Sequence, residues 1–155
     1  MLFRSLGLNQ TYRELQDLSF RYLLPWRYKV LEKAVTRARN RRRDLMQRVQ
    51  KEVEQAFAKA GMAIRIFGRE KTLFSIYKKM DSKHLSFAQV TDIYGMRLIV
   101  PSVIDCYTAL GLLHQLYKPV PGRFKDHIAI AKLNGYQSLH TTLDRKSTRL
   151  NSSHT

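Results

Sequence analysis

The apolar residues of this chain change their period at Gly61, and that change sets what the chain can fold into. From residue 40 to 60, Leu45, Val49, Val53 and Phe57 recur at every fourth position, which puts them on one face of a long amphipathic helix. Gly61 stands where a helix C-cap is expected, because glycine enters the left-handed region without a Cβ clash. Beyond it Ile64 and Ile66 alternate with Arg65 and Phe67, the two-residue period of a strand. A helical segment followed by alternating strands and helices predicts an α/β (α+β) domain from about Gly61 onward.

Local signals fill in the rest. Thr11 and Glu14 form a T-x-x-E capping signature ahead of Leu15, Leu18 and Tyr22 at helical spacing, predicting a helix that ends near Leu24. Pro25 suits the first turn of a second helix. Gly68 is expected to interrupt the first strand with a tight turn, followed by a helix over residues 71–80. A second strand is predicted over 93–100, then a helix capped by Ser102 and Asp105 and running to Tyr117. Residues 118–123, with Pro119, Pro121 and Gly122, read as a loop. Two last strands, at 127–130 and 137–143, are expected to join across Asn134-Gly135.

Charge and cysteine usage narrow the function classes. Among 155 residues, 28 Lys+Arg against 12 Asp+Glu leave a net charge of +16, which calls for a polyanionic partner: nucleic acid, anionic lipid or free nucleotides. The lone Cys106 can build neither a disulfide nor a thiolate metal site, so a reducing, cytoplasmic setting is expected. No run of about 18 apolar residues exists, so neither a membrane span nor a membrane partner is expected. The ends look foreign: residues 1–5 read as a non-native leader and the Ser-, Thr- and Arg-rich residues 145–155 as a non-native tail.

Three blocks could carry chemistry. In GREKTLFSIYKKM, a helix would place Lys71, Ser75 and Lys79 on one face, a ladder of donors near a helix N-terminus suited to a triphosphate. An exposed basic helix face would look the same, and the absence of G-x-x-x-x-G-K-[ST] disfavours an ordinary P-loop ATPase. In DIYGMRLIV, Asp92 precedes a hydrophobic strand bearing Arg97, where a carboxylate could hold Mg2+ or simply form a turn. In RFKDHIAIAKLNGYQSLHTTL, Tyr136, Ser138 and His140 would share one side of a strand, with Lys125 and Lys132 adding charge nearby. The arginines at 37, 39, 41, 42 and 43 read either as a phosphate track or as a solvated helix end.

Read together, PWRYKVLEKAV, GREK with SIYKKM, DIYG-x-R, LYKPVPGRFKD and NGYQSLHTT resemble the synthetase domain of the RelA/SpoT family of alarmone synthetases (GTP pyrophosphokinases), from about Leu6 to Leu143. The resemblance implies a nucleotidyltransferase fold related to DNA polymerase beta, a mixed sheet with flanking helices, preceded by a helical connector over 6–60 leading into a synthetase part over 61–144. It implies that the 3′-hydroxyl of GDP or GTP attacks the β-phosphorus of ATP, with Mg2+ as cofactor. By that resemblance Arg69 and Arg97 match the arginines that sandwich adenine, and Lys71, Ser75 and Lys79 match the ATP phosphate contacts. Asp92 matches the catalytic, magnesium-holding carboxylate. Tyr136 matches the guanine-stacking tyrosine, and Lys125, Lys132, Asn134 and His140 match residues around the acceptor nucleotide. The quartet Arg123-Phe124-Lys125-Asp126 resembles the R-x-K-D form of bifunctional members, which favours GDP and implies a hydrolase domain upstream.

The chain also departs from the family pattern. His127 stands for a usual tyrosine, Ala131 for a usual proline and Thr72 for a usual histidine. No Asp or Glu follows Asp144, whereas the family carries a second catalytic carboxylate on the next strand. A truncated and catalytically crippled synthetase is therefore expected, with ribosome or tRNA contact left to regions outside it. The alternative reading is a non-catalytic basic nucleic-acid-binding module.

Overall fold

Pro25, with its fixed φ and missing N–H, starts the longest element of the computed structural model, which describes residues 8–90 and 93–144. The expected leader, the expected tail and Asp92 lie outside the described residues. The helix expected from Pro25 and the one expected over 40–60 are a single helix α2, Pro25–Lys59, preceded by α1, Asn9–Leu23. The T-x-x-E signature does not cap α1. The helix starts two residues before Thr11 with Leu8 as an N-cap that makes no side-chain bond, and Glu14 instead accepts from Gln10 one turn back (3.1 Å). At its far end α2 stops as expected. Gly61 sits at φ +68°, its N–H donates to the Ala58 carbonyl (3.1 Å), and Met62 N–H donates to that of Phe57 (3.0 Å), the paired bonds of a Schellman cap.

After Gly61 come β1 (Arg65–Glu70), α3 (Leu73–Ser82), a 3-10 turn (Phe87–Gln89), β2 (Tyr94–Ile99) and α4 (Val103–Leu116). Four two-residue strands follow: β3 (Lys118–Pro119), β4 (Lys125–Asp126), β5 (Leu139–His140) and β6 (Leu143–Asp144). The architecture is α+β. Instead of one mixed sheet, the described residues form three two-stranded sheets, β1 with β2 and the antiparallel pairs β3–β6 and β4–β5.

Several boundaries move. The first strand runs through Gly68 to Glu70 rather than turning there, and Lys71 precedes the N-cap Thr72 instead of lying in the helix. Residues 118 and 119, expected in a loop, pair with 144 and 143. Residues 127–130, expected as a strand, are turn, because the Asp126 carboxylate captures the N–H groups of Ile128 and Ala129 (both 2.8 Å) and bends the chain.

The chain divides into two compact units, each with its own core. Among the described residues, one comprises 8–47 together with 67–90 and 93–97, and buries Phe20, Leu31, Val35, Ile76, Val90 and Ile93. Phe20 stacks on Tyr77 (centroids 4.7 Å apart) and meets Tyr28 edge-on, while Asp17 of α1 accepts from Phe74 N–H (2.9 Å) in the first turn of α3. The expected apolar face of α1 is not the buried one: Leu15, Leu18 and Tyr22 are exposed. Among the described residues the second unit comprises 48–66 and 98–144 and buries Val53, Phe57, Ala109 and Tyr117, packed by Val49, Met62, Ile64 and Leu143. Its share of the four-residue stripe is as expected, except that Leu45, outside this unit, is exposed. Tyr117 donates its phenolic hydrogen to Glu52, which satisfies the polar end of a buried ring.

Candidate functional site

The residues matched to ATP by resemblance all belong to the first unit. Arg69 lies on β1 and Arg97 on the paired strand β2, both exposed. A Cβ added to Gly95 on β2 would stand 3.9 Å from the Arg69 carbonyl oxygen, so the two strands run close there. Lys71 occupies the short link into α3, and its N–H donates to the Ile93 carbonyl (3.5 Å). Thr72 then caps α3 by accepting from Ser75 N–H (3.3 Å), and the two hydroxyls share a 2.7 Å hydrogen bond. Ser75 and Lys79 follow on one helical face, but Lys71 does not continue that ladder, since it precedes the helix.

What holds Lys71 comes from α2. The Arg39 guanidinium donates to the Lys71 carbonyl (2.9 Å) and pairs with the Glu70 carboxylate (3.0 Å). Of the five arginines near residue 40, Arg37, Arg41, Arg42 and Arg43 are exposed on the helix, and Arg39 alone is half-buried. Burial, and next the Glu70 charge, push the Tyr94 phenol of β2 above its ordinary pKa.

The residues matched to the acceptor nucleotide belong to the second unit, and the structure brings all five together. Lys125 pairs with His140 in the β4–β5 register. Tyr136 Oη stands 3.3 Å from His140 Nε2, which is also 2.9 Å from Ser138 Oγ, so the three alternate residues do share one side. The Lys132 ammonium lies over the Tyr136 ring, 5.1 Å from its centroid. Asn134 accepts from Tyr136 N–H (3.2 Å) in an Asx turn, and Gly135 takes φ +70°, the conformation that an Asn-Gly turn requires. His127 meets the His140 ring edge-on at 5.3 Å. The cluster is an exposed aromatic ring flanked by the Lys132 ammonium and the His140 imidazole, with Lys125 opposite His140 in the strand pair, which is what a purine carrying phosphates needs.

Sequence reasoning named Asp126 only as a letter of R-x-K-D. Its carboxylate accepts from Ala129 N–H, Ile128 N–H and Tyr107 Oη, and those bonds, Ala129 first, hold its pKa below the ordinary carboxylate range. Tyr107 is pushed the other way by the same bond. Asp17 was missed, and Arg39, named only as one of a basic run, was not expected to turn inward, because their partners lie tens of residues away and no local spacing announces them.

No cluster of three or more His, Cys, Asp or Glu side chains stands together among the described residues. A Mg2+ ion needs fewer, since it keeps several waters and takes one or two carboxylates besides substrate phosphates. Asp92, expected to be such a carboxylate, lies outside the described residues. No helix among the described residues is long and apolar enough to cross a membrane.

Comparison with known proteins gives consistent matches. The profile of the family described as "Region found in RelA / SpoT proteins" matches residues 68–152. The chain is 48% identical over 142 residues to a guanosine-3′,5′-bis(diphosphate) 3′-pyrophosphohydrolase of Haemophilus influenzae, covering 92% of this chain and 21% of that protein. It is 46% identical to the bifunctional (p)ppGpp synthase/hydrolase SpoT of Escherichia coli K12, covering 92% and 20%, and 39% identical to a GTP pyrophosphokinase rsh of Brucella melitensis, covering 89% and 18%. The chain thus spans about a fifth of the length of the curated relatives it matches. A solved structure of a GTP pyrophosphokinase family protein from Streptococcus pneumoniae aligns with a TM-score of 0.46 at 22% identity, covering 81% of this chain and 60% of that one.

Proposed function

The chain belongs to the RelA/SpoT family, and from that premise we propose that it carries the nucleotide-binding surfaces of a (p)ppGpp synthetase with a nucleotidyltransferase fold. In this reading residues 6–60 are the helical connector and 61–144 the synthetase part. The 3′-oxygen of GDP or GTP bonds to the β-phosphorus of ATP, the bond from that phosphorus to the α,β-bridging oxygen breaks, AMP leaves, and the hydroxyl proton is released.

Arg69 and Arg97 stack on adenine through their guanidinium planes, and Lys71, Ser75 and Lys79 neutralise the triphosphate. Tyr136 stacks on guanine while Lys125, Lys132, Asn134 and His140 hold its ribose and phosphates. Asp92 would hold a Mg2+ ion together with the substrate phosphates, and that ion would supply positive charge for the phosphoryl oxygens.

The observation that carries this reading is the convergence of Lys125, Lys132, Asn134, Tyr136 and His140 on one hairpin, with the tyrosine ring exposed. Titrating the purified chain with ATP and with GDP tests it. Saturable binding of both is expected, with GDP affinity falling about 10- to 100-fold in Tyr136→Ala, as the loss of one stacked base implies. Binding to any DNA or RNA that falls linearly in log salt and ignores Tyr136→Ala would replace this reading with a basic nucleic-acid-binding module.

A further inference from the structure

Arg39 is the one member of the basic run in α2 that turns inward, and its guanidinium contacts Glu70 and Lys71, where β1 leads into α3. Its Nη1 lies 3.0 Å from Glu70 Oε2 and its Nη2 donates to the Lys71 carbonyl at 2.9 Å. Its Nε is buried and has no hydrogen-bond partner. A buried donor left unsatisfied is costly, so the guanidinium is held in place by its two other contacts rather than by a site that suits all of it. Lys71 is gripped from the opposite side as well, since its N–H donates to the Ile93 carbonyl. The main chain of Lys71 is therefore fixed through both of its polar groups, and Thr72 and Ser75 begin the α3 cap immediately after it.

We infer that Arg39 is a positioning residue for nucleotide binding: by clamping Glu70 and the Lys71 carbonyl with one planar fork, it sets the direction in which Lys71 and the α3 N-terminus present charge to a triphosphate. This rests on the proposed reading of Lys71, Ser75 and Lys79 as phosphate contacts. The clamp needs a fork. A lysine would keep the charge toward Glu70 but could not hold the carboxylate and the carbonyl in one plane. A cation placed an ångström off its phosphate loses much of its effect, so a clamp that never touches the ligand still governs affinity.

The test uses the whole chain, with ATP, adenosine and GDP as separate probes and thermal melting as the check on folding. In Arg39→Lys and Arg39→Met, ATP affinity is expected to fall about tenfold or more, on the scale that small misplacements cause. Adenosine and GDP affinities should change by less than about twofold, because the clamp acts on phosphate placement. Glu70→Gln, which leaves the bond to the Lys71 carbonyl in place, should show an intermediate loss. Where Arg39→Met melts below the assay temperature, Arg39→Lys and Glu70→Gln carry the comparison. Unchanged ATP affinity in folded variants overturns the inference and leaves the nucleotide reading standing. Equal losses for ATP and adenosine overturn it too, since they report a general loosening of the unit. Failure of the unaltered chain to bind ATP overturns the proposed function and this inference together.

Discussion

Tyr136 carries three separable interactions: its ring face toward the Lys132 ammonium, its hydroxyl toward His140, and its N–H to Asn134. Tyr136→Phe removes only the second, so GDP affinity is expected to stay within about threefold of the unaltered chain by equilibrium titration, whereas Tyr136→Ala loses the stacking surface. Asp126 sets the neighbouring turn, and its lowered pKa fixes the sign of a pH effect. The carboxylate contributes stability that is fully present above the ordinary carboxylate pKa and is lost as pH falls through its lowered folded value. Amide exchange at Ile128 and Ala129 should therefore be protected at neutral pH and lose protection in acid, with Asp126→Asn showing reduced protection already at neutral pH. Roles at this scale were legible mainly where a short motif carried them. Tyr136, Ser138 and His140 were placed on one side by simple alternation, and they do meet. Arg39 was read with four exposed arginines because composition cannot tell which member of a basic run turns inward.

Helix and strand ends follow the same logic of local against distant partners. The stripe Val49, Val53 and Phe57 was legible because helical period and burial agree over two turns, and Phe57 is fully buried. Phe57→Ala should cost about 3–5 kcal/mol in denaturant unfolding, the range for emptying a large core site. Gly61→Ala should cost about 1–2 kcal/mol, since a Cβ at φ +68° is strained even though nothing stands within 4 Å of it. Thr72→Ala removes the α3 cap and should cost about 1 kcal/mol. The start of α1 was misread because Glu14 found Gln10 in place of the helix end. Of the two-residue strands, β5 lies inside the stretch 137–143 expected as a strand, whereas β3 and β4 were not legible. A ladder that short leaves no alternation to detect, and a side chain such as Asp126 decides where it stops.

At the scale of the whole molecule, charge, an α+β architecture and family were readable from residues alone, while the division into two units was not, because one helix, α2, supplies residues to both and shows no break in its pattern. The two sets of nucleotide residues fall one to each unit. ATP is accordingly expected to slow amide exchange within 67–97 and GDP within 118–144, each without protecting the other stretch, and an ATP footprint confined to 118–144 would contradict the assignment. The Asn134-Gly135 turn has a further consequence, for how a preparation ages. Deamidation of such a pair begins when the glycine nitrogen attacks the asparagine side-chain carbonyl, yet here Gly135 N–H is engaged by the Lys132 carbonyl (3.0 Å) and the Asn134 oxygen by Tyr136 N–H. Succinimide formation must wait for the turn to open. The isoaspartate content of stored protein, followed by peptide mapping, then becomes a clock for loop opening, and one that bound GDP should slow.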